Sequence, residues 1–213
     1  MLRWSGVNLS SQRQGSVLTC TTANMLFWKD LMKHRQFLQT LAVTSMALFC
    51  SAHLGAQVLK AGNNVSLRCL GNIPGSMRYL DGRTANGTVG LAPNLTPKFT
   101  GTKWRVVRAG EGVVALKCLG NIEGPRWLDG RTADGTVGLA PNTNKPFTGT
   151  RWQGVQVDEN NPNIVVLKCL GDIKGPRWLD GRTADGTVGL ASTTEPPFTG
   201  TKWEVRLYPV PID

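Results

Sequence analysis

Apolar and polar residues alternate along the later part of this chain. Val114, Leu116 and Cys118 alternate with Ala115 and Lys117, which is the period of a half-buried strand. In the next run Leu128, Gly130 and Thr132 share one face, and Trp127, Asp129 and Arg131 share the other. Val137 and Leu139 mark one face of a third run, and a fourth begins near Trp152. Turn-forming residues separate the runs. Gly120 to Pro125 closes the first, and Asp134-Gly135 predicts a two-residue hairpin, because both central residues of such a turn take positive φ. A Pro/Asn/Thr loop then leads to Phe147-Thr148-Gly149-Thr150. Helical periodicity is absent from residues 57–213.

The pattern is written three times. RWLDGRTADGTVGLA occupies Arg126–Ala140 and again Arg177–Ala191, and RYLDGRTANGTVGLA occupies Arg78–Ala92. Cys69, Cys118 and Cys169 mark a period of roughly 50 residues, the signature of an array of like units. The copies span about 65–108, 113–157 and 164–207. With four short strands in each, the chain is predicted to be all-β. One unit cannot cover its own apolar face, whereas three around an axis can. A propeller needs about four blades or more. The expected architecture is therefore a β-trefoil of three four-stranded repeats with pseudo-three-fold symmetry, filling residues 57–213.

The front of the chain reads differently. Met32-Lys33-His34-Arg35 precedes an apolar run from Phe37 to Ala52, with small residues at Gly55-Ala56. This is the layout of a bacterial-type secretory signal peptide over residues 32–56. The run is too short for a membrane span, which takes about 20 apolar residues. Residues 1–31 then read as an over-extended start, and the expected location is secreted or periplasmic.

The whole chain carries a formal charge of +10. Residues 57–213 stay basic, but their Lys and Arg are dispersed, so nucleic acid is not an expected partner. Both histidines, His34 and His53, precede residue 57, which removes the commonest general base and metal ligand from the repeats. Cys69, Cys118 and Cys169 fall at equivalent positions with no Cys-x-x-Cys spacing, as expected of buried thiols rather than a zinc site. No metal, cofactor or catalytic residue is expected.

The run L-D-G-R-T-A-D-G-T-V-G-L, a loop and then T-x-W resembles the repeat of ricin-B-type β-trefoil lectins. The resemblance covers most of residues 57–213. It implies a glycan-binding protein with up to three equivalent sites, and it assigns sugar contacts to Asp81, Asp129 and Asp180. Trp104, Trp152 and Trp203 match the family's core Trp. The family's stacking aromatic falls on Ala92, Ala140 and Ala191, unless Phe99, Phe147 or Phe198 replaces it, and its Asn-Gln pair reads here as Gly-Thr.

The residues themselves suggest a matching constellation. Tyr79, Asp81 and Arg83 recur as Trp127, Asp129 and Arg131, and as Trp178, Asp180 and Arg182. An aromatic ring suits the C–H face of a sugar, a carboxylate accepts from adjacent hydroxyls, and Arg suits ring oxygens or an acidic or cell-surface glycan. These nine residues are the expected ligand site. The alternative for the set is internal pairing that braces the turns, and the alternative for the chain is a non-lectin trefoil such as a secreted protease inhibitor or another protein-binding module.

Overall fold

The structure is a computed structural model that describes residues 59–72 and 74–208, all within one compact unit, Ala52–Asp213. The expected signal peptide and over-extended start lie outside the described residues. Twelve strands follow one another: β1 Asn64–Cys69, β2 Tyr79–Arg83, β3 Thr88–Ala92, β4 Trp104–Gly110, β5 Val113–Cys118, β6 Trp127–Arg131, β7 Thr136–Ala140, β8 Trp152–Gln156, β9 Ile164–Cys169, β10 Trp178–Arg182, β11 Thr187–Ala191 and β12 Lys202–Leu207. Short 3-10 turns at Thr100–Thr102, Thr148–Thr150 and Thr199–Thr201 precede β4, β8 and β12.

All twelve strands belong to one antiparallel sheet. Ten of them form a closed circuit of pairings, β11-β3-β2-β1-β12-β9-β8-β5-β6-β7 and back to β11, with β4 and β10 bridging it. This closed barrel corrects the expected β-trefoil of four-stranded repeats. The repeat seen in sequence is not a unit of pairing. Its first strand bonds chiefly across the repeat boundary: β5 with β4, β9 with β8, and β1 with β12. Strands of five to seven residues cannot bury enough apolar surface within one copy, so the sheet closes through neighbouring copies.

The hairpins β2–β3, β6–β7 and β10–β11 keep the predicted facing residues, with Leu80, Leu128 and Leu179 fully buried. Their turn is a correction. Arg131 pairs with Thr136, so the loop is the four residues Thr132 to Gly135, and the Gly135 amide donates to the Arg131 carbonyl at 2.9 Å. Gly135 has φ of +75°. Asp134 instead accepts from the Thr136 amide and hydroxyl at 2.9 and 2.7 Å, a side-chain turn that Asn86 and Asp185 reproduce. Ala115, expected on the polar face, is buried as well.

Tryptophan and cysteine hold the core. Trp104, Trp152 and Trp203 have no exposed surface, and each indole N–H donates to the carbonyl of Leu80, Leu128 or Leu179 at 2.9–3.0 Å. The three thiols are buried and free. Each reaches the glycine of another repeat's Asp-Gly-Arg: Cys69 to the Gly181 carbonyl, Cys118 to Gly82 and Cys169 to Gly130, at 3.3–3.4 Å. A Cβ on Gly181 would lie 2.9 Å from both the Cys69 sulfur and the Trp203 ring. Glycine is required there because a core Trp and a core Cys converge on the strand backbone.

Candidate functional site

The Asp-Gly-Arg segment presents its Asp and Arg on the face away from this core. Asp129 and Asp180 are each only 8% exposed. They are covered by the 3-10 turn of their own repeat. A Cβ on Gly149 or Gly200 would lie 2.6 or 2.7 Å from the carboxylate of Asp129 or Asp180. The glycine of Thr-Gly-Thr therefore leaves just enough room for the carboxylate. Gly200 also donates its backbone N–H to Asp180.

The arginine lies over a second glycine. Asp81 faces Gly90 across the hairpin, as Asp129 faces Gly138 and Asp180 faces Gly189. A Cβ on Gly90 would sit 2.9 Å from the Arg83 guanidinium, and one on Gly138 3.2 Å from that of Arg131. Arg83 Nε is 3.9 Å from the Asp81 carboxylate, with the Arg side chain 51% exposed. The pair is loose enough for the cation to turn towards a ligand.

Burial pushes the carboxyls of Asp81, Asp129 and Asp180 above the usual carboxylate range, and the neighbouring Arg83, Arg131 or Arg182 pulls each partly back. The folded state holds these protons more tightly than the unfolded chain, so the three groups make stability fall as pH rises from the ordinary carboxylate range through the raised value. A contact that needs the ionised carboxylate behaves oppositely. Glycan affinity, titrated against pH, is expected to decline on acidification already above the usual Asp range; a decline confined to about pH 4 would show that the buried Asp carboxylates are not the contact.

A cleft beside one of these segments lies in the third repeat. It has a volume of about 340 Å3 and is lined by Asp180, Arg182, Thr183, Asp185, Phe198 and Thr199, among others. Strand β10, its hairpin loop and the segment before β12 build it. The structure thus brings the predicted Asp180 and Arg182 together with Phe198, the aromatic that the sequence left as a substitute for Ala191. Ala92, Ala140 and Ala191 are each 1% exposed and offer no stacking surface.

Trp178 does not line this cleft. Its strand pairs it with Lys168, whose ammonium lies 5.5 Å from the ring centre; Trp127 and Lys117 repeat the arrangement at 5.6 Å, and Tyr79 pairs with Arg68. Alternation predicts these rings on the face of the Asp and Arg. Trp127 and Trp178 stand at the first position of β6 and β10, where a lysine ammonium covers each indole.

Asp185 is a site residue that sequence reading assigned only to a turn. It accepts from the Thr187 amide and hydroxyl at 2.9 and 2.6 Å. Those bonds hold its carboxyl below the usual range. One cleft therefore contains two carboxyls shifted in opposite directions. Among the described residues no group of three or more His, Cys, Asp or Glu could hold a metal ion, and no helix is long and apolar enough to cross a membrane.

No known protein family and no curated protein sequence matches this chain. Among solved structures, a GlcNAcα1-4Gal-releasing endo-β-galactosidase from Clostridium perfringens is similar in fold. The TM-score is 0.51 at 16% identity, over 69% of this chain and 33% of that one. This chain thus spans about a third of that enzyme's length. The likeness corrects two expectations. The resemblance to ricin-B-type lectins is not upheld. The expectation that the chain is not an enzyme is withdrawn too, because this fold occurs in an enzyme chain and so does not weigh against catalysis.

Proposed function

We propose that this chain binds carbohydrate through its Asp–Arg–Phe clefts. One observation carries the reading: Asp180 and Arg182 of β10 and Phe198 of the segment before β12 converge on one cleft. The same residue types stand at Asp81, Arg83 and Phe99, and at Asp129, Arg131 and Phe147. In this reading the recessed carboxylate accepts from two sugar hydroxyls, the Phe ring meets the sugar's C–H face, and the exposed guanidinium donates to a ring oxygen or an acidic substituent. The carbohydrate-active name of the similar solved chain supports the ligand class. We read the leader pattern at residues 32–56 as supporting work outside the cytoplasm, on free or cell-surface glycans.

A glycan array carrying neutral and acidic structures tests the reading. Residues 57–213 are expected to give hits, and a blank array would overturn the proposal.

The paired carboxyls favour one further reading, glycoside hydrolysis. Carboxyls displaced to opposite sides of the usual range suit a proton donor and an ionised partner. Asp180 would protonate the leaving oxygen as the glycosidic C–O bond breaks, and Asp185 would take a proton from the water whose oxygen bonds to the anomeric carbon. The array hits, incubated with the protein, are then expected to release reducing ends. Asp180→Asn and Asp185→Asn should each lower that release by at least about 100-fold, on the scale of general acid–base catalysis. Binding without release assigns the cleft to recognition alone.

A further inference from the structure

Phe198 and Thr199 wall two clefts, not one. On the far side from Asp180 lies a second cleft of about 290 Å3. Thr194, Glu195, Thr201 and Lys202 supply its polar groups, and Val157 and Val166 supply apolar surface. The Thr199 hydroxyl accepts from the Asn72 amide at 3.3 Å, which holds the shared wall in place.

The same place in the first repeat is filled. Leu95 and Lys103 take the sequence positions of Thr194 and Lys202. There the Tyr208 hydroxyl donates to the Leu95 carbonyl at 3.3 Å, and the Lys103 ammonium lies 5.0 Å from the centre of the Tyr208 ring. Tyr208 and Val157 are equivalent by backbone as well as by sequence. The Tyr208 amide donates to the Asn64 carbonyl after β12, as the Val157 amide donates to the Ile164 carbonyl after β8. The residue five positions after the core Trp therefore decides whether this space is closed. Tyr208 closes it, and Val157, itself 41% exposed, leaves it open.

We infer that the third repeat binds an oligosaccharide across Phe198, with one sugar against Asp180 and the next in the cleft roofed by Val157, while Tyr208 restricts the first repeat to a single sugar. The inference rests on the carbohydrate reading. The second cleft fits another residue of the same glycan because it continues from the first cleft over a shared aromatic and mixes hydroxyl, carboxylate and ammonium groups with apolar side chains.

The test compares array glycans with their own terminal monosaccharides by calorimetry, for the wild-type chain and for Val157→Tyr. The oligosaccharides are expected to bind the wild type at least about 10-fold more tightly than their terminal sugars. Val157→Tyr should remove that gain and leave monosaccharide affinity unchanged. Tyr208→Val is expected to create an additional oligosaccharide-selective site, in the first repeat. If Val157→Tyr keeps the full gain, the second subsite is overturned while the carbohydrate reading stands. If no glycan or monosaccharide binds the wild type, both fall together.

Discussion

Gly200→Ala is expected to lower stability by about 3 kcal/mol, roughly 10 °C in melting temperature for a domain of this size. The methyl group would be driven into the Gly181 carbonyl oxygen and would stand 2.7 Å from the Asp180 carboxylate. Neither neighbour can move freely. Gly181 is fixed by its pairing with Val188, by the Cys69 thiol on its carbonyl and by the Trp203 ring beneath it. Gly149→Ala meets the equivalent carbonyl of Gly130 and should behave alike. Gly112→Ala is the control. Gly112 has φ of +63° with nothing near its absent Cβ, so that variant carries only the backbone cost of about 1 kcal/mol. Urea unfolding of the three variants checks the prediction. Equal losses for Gly200→Ala and Gly112→Ala would show that the 3-10 turn does not press on the Asp-Gly-Arg strand as described.

Replacing Asp81, Asp129 and Asp180 together by Ala is expected to weaken glycan binding by at least about 100-fold. A hydrogen bond to a charged group contributes about 1.5–3 kcal/mol, or roughly 10- to 150-fold per site. On a multivalent surface the losses compound, because avidity multiplies single-site affinities by roughly 10²–10⁴. The fold should survive. The three carboxyls are held above their usual range by burial, so their charge opposes folding at neutral pH rather than supporting it. The Asn triple variant keeps side-chain volume and an acceptor for the Gly200 amide, and should match wild type in thermal stability or exceed it. Surface plasmon resonance on an array-positive glycan reads the binding, and circular dichroism reads the fold. Undiminished binding by the folded Asn variant would remove the carboxylates from the site.

The two predictions address different letters of one repeated phrase. In RWLDGRTADGTVGLA, the third Gly, Gly138, gives the Arg131 guanidinium space, and the first, Gly130, gives Cys169 and Trp152 space. The first Arg is structural. Arg126 donates to the carbonyls of Cys118, Gly120 and Ile122 at 3.3, 2.6 and 3.0 Å and so shapes the preceding loop. Asp129, Arg131 and Thr132 remain, and Thr132 donates to the Ile173 carbonyl of the next repeat at 2.6 Å. Once these structural demands are met, Asp129 and Arg131 are the residues left with chemistry to offer.

Strand existence, the inward Leu of each hairpin and the buried Cys follow from the sequence alone. Each depends on alternation and local turn chemistry, which act over a few residues. The pairing of β4 with β5, β8 with β9 and β12 with β1 was decided by tertiary structure, because closing the sheet is a choice among distant partners that no short pattern encodes. The site divides in the same way. Asp180 and Arg182 share a face by strand periodicity, and their convergence with Phe198 depends on how the segment before β12 folds back over β10. Trp178 lies on the same strand, and the cation over its ring, Lys168, comes from β9. Tyr208 and Val157 occupy one repeat position, and only packing against Lys103 or beside Lys202 makes the first a plug and the second an opening.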